Sequence, residues 1–272
     1  DAAVTGAVTG GTINGVGIIS NITNFSNGIL ISQDGSTGTL NAASNNTGLG
    51  NGVFDDLTTG DNNTVVGSLA LTVNTTGGSN TAVGKDALGS NTTADSNTAV
   101  GYGALRDNTT GAANTAFGYL GLEENTTGAN NTAVGFQASE ENTTAANNVS
   151  VGYYALRKNT TGASNVAVGA NALDANVSSS ANTAIGFNSL TTNTAASNTA
   201  VGKDSLEANT SGGSNTAVGA DAMAANTTGS GNVAVGKACL DANTTGINVT
   251  AVGTGALGAN TTANNNDAFG AA

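Results

Sequence analysis

No histidine, proline or tryptophan occurs anywhere in the sequence, cysteine occurs once, and six lysines and arginines stand against 18 aspartates and glutamates. Without histidine the chain lacks the commonest general base and metal ligand. A single thiol, Cys239, cannot close an internal disulfide. It takes a slot that holds Ala, Ser or Gly in the other copies of its segment, so it reads as a small buried apolar residue. With a net charge of −12, nucleic acid is not an expected partner, because binding phosphates needs clustered Lys and Arg. No apolar run is long enough to span a bilayer, so membrane insertion is not expected. The first twenty residues lack the basic and apolar regions of a secretory leader. The chain begins at Asp1 and reads as a mature product or an excised fragment. There is no nucleophile beside a base, no phosphate loop and no carboxylate pair at fixed spacing. The expectation is therefore a protein that is not an enzyme and takes no cofactor. Calcium-binding β-roll repeats are excluded too, since their turn needs a regularly recurring Asp.

What the sequence does have is one segment written many times. Asn80–Ser96, NTAVGKDALGSNTTADS, recurs from Asn63 onward, marked by a glycine at 67, 84, 101, 118, 135, 152, 169, 186, 202, 219, 236, 253 and 270. Every step is 17 residues except that from Gly186 to Gly202, which is 16. So short and regular a period predicts a solenoid, each repeat one coil that buries its apolar face on its neighbours. Gly, Asn and Thr are poor helix formers, so the coils should be β. The expected fold is all-β: a single-chain parallel β-solenoid (β-roll) of about 13 coils over residues 46–272. Residues 1–45 do not follow the period. Their short β-branched runs read as strands that cap the first coil, pair with another subunit or lead to a further domain.

Counting from the leading asparagine makes Asn80 position 1 and Gly84 position 5. Position 4 is a bulky column, Val83, Val100, Phe117, Val134 and onward, and position 9 is mostly Leu, with Ser139 the exception. Two apolar columns suggest two short strands around a thin core. If position 4 faces in, position 3 faces out. That would put Ala82, Ala99, Ala116, Ala133, Ala167, Ala184, Ala200, Ala217, Ala234, Ala251 and Ala268 on the surface as a flat apolar stripe of about 600 Å², a candidate subunit interface. The competing reading is a stripe that is merely tolerated. Gly at position 5 should end the strand in a tight bend. Charge gathers at positions 6, 7, 10 and 11, the expected solvated face.

Position 6 also gathers rings: Tyr102, Tyr119, Phe136 and Tyr153 on consecutive coils, then Phe187. They suit either the binding of a glycan or subunit, or a ladder that stabilises the stack. Asn-Thr-Thr recurs at positions 12 to 14, starting at Asn74, Asn91, Asn108, Asn125, Asn142, Asn159, Asn226, Asn243 and Asn260. These are either N-glycosylation acceptors or a ladder of side-chain amides stacked coil on coil. Acceptors about 4.8 Å apart leave little room for a sugar on every rung.

The copies NTAVGKDALGS, NVAVGANALDA and NTAIGFNSLTT resemble the repeats of the YadA-like head domain of trimeric autotransporter adhesins, over about residues 46–272. The coil here is longer than that family's, by an insertion around Asn-Thr-Thr. Such long coils also look like shaft repeats of phage tail fibres. The resemblance implies a left-handed β-roll on an extracellular or cell-surface fibre, a homo-oligomer (trimer or filament) with spacer or adhesive duty toward a glycan or host surface. An ice-binding solenoid that uses the Thr columns is a further alternative.

Overall fold

The computed structural model describes the backbone of residues 11–13, 16–22 and 25–32 and the whole of residues 42–271. All regular structure among the described residues is strand. The chain divides into two compact units, Asp1–Asn130 and Asn131–Ala272, and the same 17-residue coil builds both.

In the first unit, β1 (Gly11–Ile13), β2 (Val16–Ile22) and β3 (Phe25–Ser32) pair antiparallel in turn. β4 (Ala43–Ser44) and β5 (Thr47–Leu49) then lie parallel to β3, Phe25 opposite Ala43 and Ile29 opposite Thr47. A strand of the N-terminal segment thus occupies the edge of the first coil. The other residues of the segment 1–45 lie mostly outside the described ones. From β5 the coils repeat one three-residue strand: β6 (Thr64–Val66), β7 (Thr81–Val83), β8 (Thr98–Val100) and β9 (Thr115–Phe117) stack parallel, with Ala82 on Ala99 and Ala99 on Ala116.

The second unit continues the pattern with β10 (Thr132–Val134), β11 (Val149–Val151), β12 (Val166–Val168), β13 (Thr183–Ile185), β14 (Thr199–Val201), β15 (Thr216–Val218), β16 (Val233–Val235), β17 (Thr250–Val252) and β18 (Asp267–Phe269), again parallel and in register. The parallel β-solenoid expected from the period is the fold.

The faces of the coil are reversed from the sequence reading. Position 3 points inward. Ala82, Ala99 and Ala116 in the first unit, and Ala133, Ala167, Ala184, Ala200, Ala217, Ala234 and Ala251 in the second, are fully buried, while the bulky residue at position 4 is half-buried or exposed. These alanines therefore line the coil's own core and form no surface stripe. The reason is room. The interior already holds Leu at position 9, Ala at position 8 and asparagines at positions 1 and 12, which leaves a methyl's width beneath the strand.

The leucine column is not a second strand either. Leu88, Leu105, Leu122, Leu156, Leu173 and their counterparts sit in a turn with φ near +50°. A non-glycine residue in that left-handed region costs about 1–2 kcal/mol. Full burial of the leucine side chain contributes about 1.5–3 kcal/mol, so packing wins over backbone strain at each rung. Ser139, where leucine is missing, donates to the Ser150 hydroxyl at 2.9 Å; Ser150 is the one serine in the inward alanine column. The two exceptions satisfy each other inside the core.

Glycine at position 5 is demanded twice over. Gly84 has φ +136°, and a Cβ there would lie 2.2 Å from the carbonyl oxygen of Gly101 on the next coil. Coils approach this closely only where neither carries a side chain.

Two asparagine ladders close the coil. At position 12, Asn91 Nδ2 donates to Asn74 Oδ1 at 2.9 Å and to the Ala94 carbonyl at 3.1 Å, and Asn108 repeats the pattern on Asn91. At position 1, the backbone N–H of Asn80 donates to Asn63 Oδ1, and Asn80 Nδ2 donates to the same Ala94 carbonyl, each at 2.9 Å. Both ladders converge on the carbonyl of position 15. Buried amides are tolerated only when paired, and each such bond adds about 1 kcal/mol.

Candidate functional site

Because position 3 faces in, positions 2 and 4 face out, and the sheet presents Thr and a bulky apolar residue from each rung. In the first unit these are Thr47/Leu49, Thr64/Val66, Thr81/Val83, Thr98/Val100 and Thr115/Phe117. In the second they run from Thr132/Val134 to Thr250/Val252, with valine replacing threonine at Val149, Val166 and Val233 and with Ile185 in the outer column. No charged residue occupies this face until Asp267 on β18. Phe117, Val134, Ile185, Val218 and Val235 are all at least 36% exposed. Over the nine rungs of the second unit the face measures about 40 Å by 10 Å, or about 400 Å².

Two threonine columns have opposite chemistry. At position 13 the hydroxyl is committed: Thr75, Thr92, Thr109, Thr160, Thr210, Thr227 and Thr244 each donate to a backbone carbonyl one coil on. On the outward face the hydroxyls of Thr64, Thr81, Thr98, Thr183, Thr199, Thr216 and Thr250 find no partner within the described residues. That column is open to solvent or to another surface.

The charges lie on the other sides of the coil. Lys85 bonds Asp86 at 2.8 Å, Arg157 Nε bonds Asp174 on the next coil at 2.9 Å, and Arg106 meets both Asp107 and Glu123. The hydrogen bond and charge of Asp86 raise the Lys85 ammonium above its ordinary pKa, and Asp204 does the same for Lys203. The exposed pairs, Lys85–Asp86 and Lys203–Asp204, add little to stability. No group of three metal-ligating side chains is found among the described residues, and no described helix is long and apolar enough to cross a membrane.

The aromatic column forms ladders. Tyr102 and Tyr119 stack with centroids 5.4 Å apart and planes 13° off parallel, and Phe136 and Tyr153 stack at 5.4 Å and 14°. Tyr154, which the column reading missed, joins the second ladder 3.9 Å from Tyr153 and lies under the Arg157 guanidinium. Lys85 covers the free side of Tyr102 at 5.4 Å. Rings stacked in this way turn their faces to one another and their edges to solvent, whereas a sugar needs a ring face. Phe187 stands apart, between Ala170 and Lys203 in the same column.

The Asn-Thr-Thr asparagines are inside. Asn74, Asn91, Asn108, Asn125, Asn142, Asn159, Asn226 and Asn243 are buried, and Asn260 near the end is half-buried. Their amide nitrogens serve the ladder, as Asn226 serves Asn209 Oδ1 at 2.7 Å and Gly229 O at 3.0 Å. In the folded chain they are not reachable as glycan acceptors. Cys239 is also buried; its Sγ donates to the Ala251 carbonyl at 3.1 Å, and burial pushes the thiol pKa up. Compared with protein-family models, with curated proteins and with solved structures, the chain matches none.

Proposed function

We propose that the protein is an extracellular structural component, a self-associating fibre or filament subunit in which the solenoid is the shaft and the outward Thr/apolar face is the contact surface. One observation carries this reading: on a chain of net charge −12, the strand face of each unit, Thr47 to Phe117 in the first and Thr132 to Val252 in the second, bears no charge. Two copies of an acidic chain repel each other wherever their carboxylates meet; the strand face and, in the second unit, the Asn-Thr-Thr side both avoid that cost, but only the strand face also carries an unbroken apolar column. Its outer column is apolar on every rung, which suits packing against another apolar surface. An area of about 400 Å² per partner in the second unit is small for a permanent interface, so assembly should depend on many repeated contacts.

The test is sedimentation velocity across a concentration series, with electron microscopy of the same samples. The expected result is concentration-dependent assembly that weakens by roughly tenfold or more in the double variant Val201→Lys/Val218→Lys, whose lysines place like charges opposite each other. A monodisperse monomer at the highest concentration would overturn the proposal.

The unpartnered threonine hydroxyls favour a second reading. A rigid sheet that offers hydroxyls every ~4.8 Å beside methyl groups can also order water in a lattice and hold an ice surface. Valine at three of the threonine positions and Phe117 in the outer column interrupt such a lattice, which places this reading second. A gap between freezing and melting points that vanishes in the lysine variant would assign the face to ice instead.

A further inference from the structure

The corner that leads into the strand carries, on four coils, a second set of Asn-x-Thr triplets that the Asn-Thr-Thr pattern hides. Position 17 is exposed and takes a left-handed backbone, with φ +58° at Asn45, +62° at Asn62 and +54° at Asn248. Asparagine enters that region more readily than most residues, and threonine two residues on belongs to the strand. Where both occur, Asn45-Asn46-Thr47, Asn62-Asn63-Thr64 and Asn248-Val249-Thr250 each spell Asn-x-Thr without proline. Asn130-Asn131-Thr132 has the same spelling, and Asn130 is exposed.

The contrast with the buried sequons is one of access. Asn91 and Asn226 have their amide nitrogens inside the core, each donating two hydrogen bonds. Asn62 and Asn248 project from a convex corner, and no hydrogen bond holds their amide nitrogens among the described residues. Asn45 Nδ2 makes one long contact, 3.3 Å, to Asn62 Oδ1. We propose that the corner asparagines, Asn62 and Asn248 foremost, are N-glycan acceptors of the folded protein, and that the Asn-Thr-Thr asparagines are not.

The transfer needs an oligosaccharyltransferase and a lipid-pyrophosphate-linked sugar. The Asn Nδ2 attacks C1 of the sugar, the N–C1 bond forms, and the C1–O bond breaks. The lipid pyrophosphate leaves with the electron pair, and the amide nitrogen gives up one proton to the enzyme. Asn45 and Asn62 lie on successive coils about 4.8 Å apart, so only one of the two can carry a glycan. Occurrence in the organism rests on the extracellular reading above, but the chemistry at the corner does not.

The experiment uses purified, folded protein with a single-subunit oligosaccharyltransferase and a synthetic lipid-pyrophosphate oligosaccharide, read by glycopeptide mass spectrometry. The expected result is glycan on Asn62 and Asn248, and none on Asn91 or Asn226. Thr64→Val and Thr250→Val should each abolish addition at their own site alone. Valine already stands in that slot at Val149, Val166 and Val233, so these variants keep the fold. The urea-unfolded chain serves as control, with glycan expected on its Asn-Thr-Thr sites. No addition to the folded chain while the unfolded chain is modified, or addition to Asn91 or Asn226 in the folded chain, overturns the proposal. Neither result depends on secretion or self-association, so failure here is separable from failure of the fibre reading.

Discussion

Within the second unit, the coil Asn215–Gly231 and the shortened coil Asn182–Ser197 have the same strand but different interiors. In the full coil, Asn226 reaches back to Asn209 and across to Gly229, and Asn215 Nδ2 donates to Gly229 O at 2.8 Å. The short coil has lost one residue between its position-12 asparagine, Asn193, and the next leading asparagine, Asn198. There Asn193 Nδ2 turns to Ala195 O at 2.7 Å, and two buried atoms, Asn176 Oδ1 and Asn182 Nδ2, are left without a protein partner. The strand does not notice: Thr183, Ala184 and Ile185 still pair with Thr199, Ala200 and Val201. Asn193 Oδ1 still accepts from Asn209 at 2.7 Å, so the ladder resumes on the far side. The sheet sets the register of the stack, and the amide ladders measure the length of the coil.

That difference can be broken or sharpened by mutation. The largest effect should come from a feature both coils share. Gly219→Ala would place a Cβ 2.5 Å from the Gly236 carbonyl at φ +137°, and should lower stability by about 3 kcal/mol or more in urea titration. Asn226→Ala comes next. It takes one bond each from the Gly229 carbonyl and the Asn243 amide, which keep Asn215 and Gly246 as partners, and leaves the buried Asn209 Oδ1 without one, for about 2–3 kcal/mol; Asn193→Ala, whose Oδ1 accepts from both Asn198 and Asn209, should cost about as much. Inserting one glycine between Ala195 and Ala196 should re-join the ladders and raise stability by about 1–2 kcal/mol, seen as a higher urea midpoint. If the insertion destabilises, coil length is not what the ladders sense.

The period, the parallel coil and the position-12 ladder were legible because each is a repeat of one residue type at one spacing. The direction of the strand was not. Bulky residues usually face in, but here the column that varies in size, from Leu49 through Val83 to Phe117, is the one with free space beside it. The column held small is the one packed against its neighbours. The position-1 asparagines were equally plain in the sequence, yet they look like a register mark because their partner, the carbonyl of position 15, lies 14 residues away. The corner asparagines were hidden by a commoner motif with the same spelling.

The smallest effect gives the sharpest test of which way the strand faces. Ser139 and Ser150 break two different columns in successive coils, and a hydrogen bond inside the core joins them. Were position 3 on the surface, Ser150→Ala would be neutral and independent of residue 139. With position 3 inside, Ser150→Ala leaves the buried Ser139 hydroxyl without that partner and should cost about 1 kcal/mol. Ser139→Leu alone sets a leucine against the Ser150 hydroxyl and should gain less than leucine burial contributes elsewhere. The double variant restores the Leu and Ala of the other coils, and should be more stable than the sum of the single changes by about 1 kcal/mol in a double-mutant cycle. A coupling of zero would return the alanine column to the surface, and the subunit contact with it.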